Sequence, residues 1–249
     1  MQRILAILPA YNEEASIIDL LKNFETLARQ HPFDLKVLVV NDGSKDRTAE
    51  LVKNFHGDIQ IDLLDNNQNG GLGKVLRQGL EYACTQLSAG DLVITMDADN
   101  SHNPNLIPRM VQKIDEGSSL VIASRYRRGA RSFGLSLFRK CISFLAGSLF
   151  MVFAPIKGVR DYTCGFRAYR VELLQQGFDH FGNRLIEENG FSCMVELLLK
   201  LNRFLPICHE VPMILRYDLK IGSSKMNVRK TIQATLVVLW QYHFSDRFK

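Results

Sequence analysis

Short apolar runs alternate with helix-spaced segments through the first half of the chain, and that order leaves few folds open. Residues 4–8, 35–40, 59–64, 91–96 and 120–124 are runs of strand length. Between the first two, residues 14–29 place Ile17, Leu20, Leu21, Phe24 and Leu27 on one helical face; helical spacing recurs over 46–55, 71–87 and 105–114. Strands that are continuously apolar are covered on both faces. A repeated strand–helix order joins them as parallel neighbours through right-handed crossovers. The pattern predicts an α/β fold: a doubly wound, mainly parallel sheet with helices on both faces. A C-terminal helical or interfacial extension follows it.

Charge is distributed unevenly. The 249 residues carry a formal net charge of +5. No acidic residue lies between Glu116 and Asp161, an interval holding Arg125, Arg127, Arg128, Arg131, Arg139, Lys140, Lys157 and Arg160. Such a stretch suits a polyanion: nucleic acid, nucleotide phosphates or an anionic membrane surface. No run reaches the roughly 20 apolar residues that span a bilayer. The strand pattern following Met1-Gln2-Arg3 does not read as a signal peptide. Five cysteines at unpaired spacing point to reduced thiols and a cytosolic setting, and no Cys/His set has zinc-site spacing.

The second half reads differently. Residues 141–153 are uncharged and rich in Phe and Leu, too short to span but suited either to a membrane interface or to a buried core helix. Residues 187–201 read as an amphipathic helix, with Glu187 and Glu188 capping or solvating it. Residues 210–217 alternate as an edge strand does, and 230–244 read as a terminal helix with Trp240 and Tyr242 near its end.

The candidate chemistry gathers at strand ends, where open α/β sheets bind ligands. Asp97-Ala98-Asp99 closes the fourth strand. Two carboxylates spaced two apart can turn toward one hard divalent cation that keeps positions open for phosphate oxygens. Taken alone, an Asp before a helix is more often a cap than a metal ligand. After the first strand come Pro9, which ends the ladder, Tyr11, able to pack on a flat base, and Glu13. Asp42 ends the second strand, placed to accept from a base N–H. Gly70-Gly71-Leu72-Gly73-Lys74 is a glycine-rich helix entry suited to close backbone approach to a ligand. Val75 excludes a Walker A loop. Arg125 follows the fifth strand, where it can meet phosphate or sugar. His102 reads as a loop hydrogen-bonder. Cys164 and Cys193 read as packing residues.

Together these segments resemble the family 2 glycosyltransferases of the GT-A fold, and in particular the polyprenyl-phosphate (dolichyl-phosphate) mannosyltransferase branch. The resemblance rests on the segments 9–13, 41–46, 71–73, 97–99 and 124–126, joined by 161–167 and 222–226, and it covers nearly the whole chain. It implies a GT-A catalytic domain over 1–217, including an interfacial segment over 132–157. A phosphate-binding loop and terminal helix over 218–249 would follow. It implies that Pro9, Tyr11, Glu13, Asp42, Gly71, Lys74 and Asp97 hold the nucleotide. Asp97, Asp99 and Ser101 would surround Mg²⁺ or Mn²⁺. Arg125, Arg131, Arg139, Lys220 and Lys225 would face donor or acceptor phosphates, and Asp99, Asp161 and Arg125 would form the catalytic group. One departure is Leu219, where relatives often carry arginine. Lys220 stands beside it, but lysine does not reproduce a bidentate fork.

The implied reaction is inverting transfer of mannose from GDP-mannose to a polyprenyl phosphate at the cytoplasmic face of a membrane, with no nucleic-acid partner. A phosphate monoester is already anionic near neutral pH, its second pKa being about 6, so no strong base is required. Asp161 is then assigned to orienting arginine or acceptor more readily than to base catalysis. Two alternatives stand beside this. One is a UDP-sugar transferase acting on a lipid phosphate or a saccharide hydroxyl. The other is a non-catalytic nucleic-acid- or membrane-binding protein.

Overall fold

The computed structural model describes residues 2–134, 147–219 and 228–248. A seven-stranded sheet forms its centre, in the order β3-β2-β1-β4-β7-β5-β8. Strands β1 (Arg3–Ala10), β2 (Asp34–Asn41), β3 (Gln60–Asp65) and β4 (Leu92–Thr95) pair in parallel, as do β5 (Leu120–Ser124) and β8 (Cys208–Pro212). Helices α1 (Ile17–Gln30), α2 (Thr48–Lys53), α3 (Leu72–Gln86) and α4 (Ile107–Asp115) make the crossovers. The apolar stripe of α1 does what its spacing dictates: Ile17, Leu20, Leu21, Phe24 and Leu27 are all fully buried. The sheet is the mixed, mainly parallel α/β architecture that the strand–helix order predicts.

Two departures from the expected order build the site. β7 (Arg167–Arg170) runs antiparallel between β4 and β5, pairing Thr95 with Arg167 on one side and Ile122 with Arg167 on the other. Its first residues therefore lie at the same rim as the carboxyl ends of β1, β2, β4 and β5. Arginine at both ends of a four-residue strand hides it from an apolar-run reading. Yet Arg167 is wholly buried and donates to the carbonyls of Met194 and Tyr162 at 2.8 and 2.7 Å. The second departure is that 210–217 is not one strand. β8 ends at Pro212, and β9 (Ile214–Arg216) leaves the main sheet to pair with β6 (Arg131–Phe133).

The chain continues from β7 into α5 (Val171–Phe181), which the sequence reading did not place. The helix expected over 187–201 forms only as α6 (Cys193–Leu201), leaving 187–192 as an extended segment and turn. Residues 147–153 are helical and split between both readings of that stretch. Phe150 is buried against Tyr162, while Leu149, Met151, Val152 and Phe153 are exposed. The terminal helix α7 (Val228–Phe244) packs on α6 through a buried face that includes Val238 and Leu239, and it exposes Leu236, Val237, Trp240 and Phe244. Among the described residues no helix is long and apolar enough to cross a membrane.

Candidate functional site

The site lies at the carboxyl rim, where β1, β4 and β5 end and β7 begins. Asp97 shares a small cleft with Pro9, Leu72, Leu76, Gly165 and Met194. A methyl group placed on Gly165 would stand 3.4 Å from Asp97 Oδ1, so the carboxylate faces the start of β7. Asp99 is 94% buried, and its Oδ1 accepts from the N–H and hydroxyl of Ser101 at 3.0 and 2.6 Å. Ser101 thus braces Asp99. Asn100 between them takes a left-handed conformation (φ 58°), which tightens the turn. His102 is not the loop hydrogen-bonder expected: its ring stacks on Phe166, and Nδ1 is buried without a partner among the described residues.

No group of three or more His, Cys, Asp and Glu side chains suited to a metal occurs among the described residues. The donors on hand are the carboxylates of Asp97 and Asp99 and the Ser101 hydroxyl. That hard-oxygen set fits Mg²⁺ or Mn²⁺ completed by a ligand's phosphate oxygens, and does not fit a closed protein cage.

On the β1–β2 side the polar residues chiefly hold one another. Asn12 Oδ1 accepts from the Lys45 N–H at 2.8 Å, and the Glu13 N–H donates to Thr48 Oγ1 at 2.8 Å. Glu13 Oε2 accepts from Ser16 Oγ. Asp46 accepts from the N–H groups of Glu14 and Thr48, tying the start of α2 to that of α1. Pro9 and Tyr11 are half-buried, and Pro9 lines the cleft.

The structure gives Asp42 a task the sequence did not suggest. It is buried, and its two oxygens accept the N–H groups of Gly70 and Gly71 at 2.7 and 3.0 Å. The glycine-rich turn, in its turn, approaches protein and not open space. A Cβ on Gly73 would stand 1.7 Å from the Glu188 carbonyl oxygen, and one on Gly71 (φ 89°) 2.4 Å from that of Asn189. The Gly73 N–H donates to Asn189 O at 3.1 Å. Glycine is required here because two backbones touch. Lys74 lies half-buried on the first turn of α3.

On the β5 side, Asp161 is fully buried and ringed by donors. It accepts from Arg125 N, Nε and one terminal nitrogen at 3.0, 2.8 and 2.6 Å, and from Cys164 N at 3.2 Å. Burial pushes the Asp161 carboxyl up, but the charge and hydrogen bonds of Arg125 outweigh this and hold it below its ordinary value. Burial works against the Arg125 guanidinium and Asp161 overrides it, so its pKa is raised. Arg125 also donates to Thr163 Oγ1, and its side chain keeps 21% exposure. Next to it, Tyr126, Gly147, Met151 and Arg160 line a cavity of about 330 Å³. Arg131 is exposed on β6. Arg139, Lys220 and Lys225 lie outside the described residues. Burial lifts the Cys164 thiol to about 12 and raises that of Cys193 as well, so neither is poised as a nucleophile.

Sequence reasoning missed a buried ionic cluster behind the cleft. Glu196 and Lys200 on α6 are fully buried and paired at 2.8 Å, and Arg247, beyond α7, reaches Glu187, Glu188 and Glu196. The signal was present: Glu196 and Lys200 stand four apart inside an otherwise apolar helix, and buried charges must be paired.

A family model described as Glycosyl transferase family 2 matches residues 5–178. A dolichol-phosphate mannosyltransferase from Pyrococcus furiosus is 28% identical over 201 residues, 80% of this chain and 53% of that protein. An undecaprenyl-phosphate 4-deoxy-4-formamido-L-arabinose transferase from Salmonella choleraesuis is 33% identical over 172 residues, 68% of this chain and 49% of that protein. The chain thus spans about half the length of these curated relatives. Among solved structures, glucosyl-3-phosphoglycerate synthase from Mycobacterium tuberculosis, in complex with Mn²⁺, UDP and glucosyl-3-phosphoglycerate, superposes with a TM-score of 0.69 at 19% identity. That match covers 97% of this chain and 80% of the synthase.

Proposed function

Because the chain belongs to glycosyl transferase family 2, we propose that it moves a sugar from a nucleoside diphosphate onto a polyprenyl phosphate at a membrane surface. The observation that carries this is the meeting, at one rim, of the Asp97–Asp99 turn and the anchored Arg125, with the first residues of β7 between them. One side offers hard oxygens for a diphosphate-bound cation. The other offers a fixed guanidinium fork for an anion.

In this reading Pro9, Tyr11 and Glu13 border the nucleoside. Asp42 acts on it through the glycine-rich turn that it holds. Asp97, Asp99 and Ser101 would hold Mg²⁺ or Mn²⁺, which when bound offsets the charge of the leaving diphosphate. Arg125 receives the acceptor phosphate beside the cavity lined by Tyr126 and Arg160, while Asp161 holds the fork in place. The exposed apolar residues of 147–153 and of α7 rest on the acyl boundary, and the basic interval faces anionic headgroups.

Mannose from GDP-mannose is the proposed donor, supported by what the Pyrococcus relative is named for. A UDP-sugar is the second reading, favoured by the UDP bound in the structural neighbour. The test is transfer to polyprenyl phosphate in vesicles with a panel of sugar nucleotides, with Mg²⁺, Mn²⁺ or chelator. Transfer from one donor that stops with chelator, and in Asp99→Ala with the fold intact, is expected. No transfer from any donor to any polyprenyl phosphate defeats the proposal.

A further inference from the structure

We infer that Arg247 is a positioning residue for the donor side of the cleft, acting through the 187–190 segment and the glycine-rich turn. The inference rests on the reading that this cleft takes the nucleotide. Its starting point is Glu196. One of its oxygens accepts the N–H groups of Glu187 and Glu188 at 3.0 and 2.8 Å, which fixes the backbone of that segment. The other accepts from Lys200 Nζ at 2.8 Å and from Arg247 at 2.7 Å. Arg247 also donates to Glu187 Oε2 at 2.7 Å, to Gln241 Oε1 at 2.6 Å and to Glu188 Oε1 at 3.3 Å. Three carboxylates therefore face two cations around a buried Glu196–Lys200 pair. Without Arg247, Glu187 and Glu196 would share Lys200 alone, Glu188 would lose its ion pair with Arg247, and the like charges would drive the 187–188 side chains outward.

What that segment touches gives the cluster a consequence at the cleft. Its carbonyls at 188 and 189 lie against Gly73 and Gly71, and Asn189 O takes the Gly73 N–H. Asp42 grips the other side of the same turn through Gly70 and Gly71. The turn is thus held between β2 on one flank and the Arg247 cluster on the other. Leu72 at its centre and Met194 at the start of α6 both line the cleft with Asp97. Arg247 follows the helix that carries the exposed Trp240 and Phe244, so the donor side is tied to an element with an exposed aromatic face.

The test uses the full chain with Arg247→Met, which keeps length and removes the fork, and Arg247→Lys, which keeps charge without it. Hydrogen exchange is followed over 70–76 and 187–192, together with calorimetric binding of Mn²⁺–GDP and Mn²⁺–UDP. Arg247→Met is expected to speed exchange in both segments by about tenfold or more. It should weaken binding of whichever nucleotide the wild type takes by a similar factor, with Arg247→Lys between the two. A lower melting temperature with unchanged exchange over 70–76, or unchanged nucleotide affinity, overturns the inference. Should Arg247→Met not fold, Arg247→Lys decides alone by the same two readouts. If wild-type protein binds neither nucleotide, the donor reading fails, while exchange over 70–76 still judges the latch.

Discussion

Replacing Asp161 by Asn separates two roles that a buried acid at this rim could have. The native carboxylate accepts four hydrogen bonds, three of them from Arg125. An asparagine presents one oxygen and one NH₂, so at least one donor of Arg125 or Cys164 then meets another donor. The Arg125 charge also loses its counterion. Removing one partner of a buried ion pair costs about 3–5 kcal/mol, because the other is left uncompensated. In a domain of this size that corresponds to a fall in melting temperature of about 6–20 °C. Thermal or urea unfolding of Asp161→Asn, Arg125→Met and the double variant measures it. The double variant should lose less than the sum of the singles, since it leaves no orphaned charge. The reasoning is refuted if Asp161→Asn unfolds within about 1 kcal/mol of wild type while transfer stops. Asp161 would then be acting on a reacting proton and not on Arg125.

Three further outcomes follow from the same geometry. Asp161 and Glu187 are both held below their ordinary values of 3.8 and 4.5: burial raises each, and Arg125 in one case, Lys200 and then Arg247 in the other, outweigh it. The folded state then binds fewer protons, so this stabilisation is complete above the unfolded values and is lost as pH falls through the lower folded ones. Melting temperatures from about pH 6 to about pH 3 should fall, and less steeply in Asp161→Asn. With no three-residue metal cluster among the described residues, Mn²⁺ should bind at least about tenfold more tightly when a nucleoside diphosphate is present, by calorimetry. Tight Mn²⁺ binding to the protein alone would contradict the open-site reading. Trp240 is the chain's single tryptophan and is 61% exposed, so its emission should shift to the blue with anionic vesicles. Trp240→Ser with Phe244→Ser should cut vesicle binding by about tenfold or more, given about 1.5–3 kcal/mol for each apolar side chain withdrawn from water. Unchanged emission and sedimentation would remove α7 from the interface.

Strands β1, β4 and β5 were legible because each carries a continuous apolar run buried on both faces, as 4–8 and 120–123 are. The placement of Asp97, Asp99 and Arg125 at the sheet's carboxyl rim was legible for the related reason that each follows the end of an apolar strand run. β7 was not: its sequence, Arg-Ala-Tyr-Arg, breaks the apolar pattern, and the buried Arg167 is received by the carbonyls of Tyr162 and Met194, which an apolar-run reading does not foresee. α5 could have been found, since Val171, Leu174 and Phe181 keep helical spacing and are buried. The partners of Asp42 and of Gly73 could not, because their contacts join segments far apart in the chain. A glycine that admits a ligand and one that admits a neighbouring carbonyl look alike in sequence.

The same contacts bear on the chemistry of the acceptor. A sugar hydroxyl needs a base with an unoccupied lone pair and a pKa near the working pH. Asp161 meets neither condition, being ringed by donors and held below the carboxylate range. Glu210, a second buried acid beside it, accepts the N–H groups of Arg160 and Asp161 at Oε1, while its buried Oε2 has no hydrogen-bond donor among the described residues and is held by the Arg127 ion pair at 3.4 Å. Asp161 spends both oxygens on hydrogen bonds, and Glu210 stays a carboxylate partner of Arg127, so each is committed to an arginine. What this side of the rim offers is a guanidinium whose direction is set by the fold before any acceptor arrives, so its ordering entropy is lost on folding and not on binding. Such a group suits an acceptor that comes already charged. A phosphate monoester does, with a second pKa of about 6, and it attacks without a proton having to be removed first.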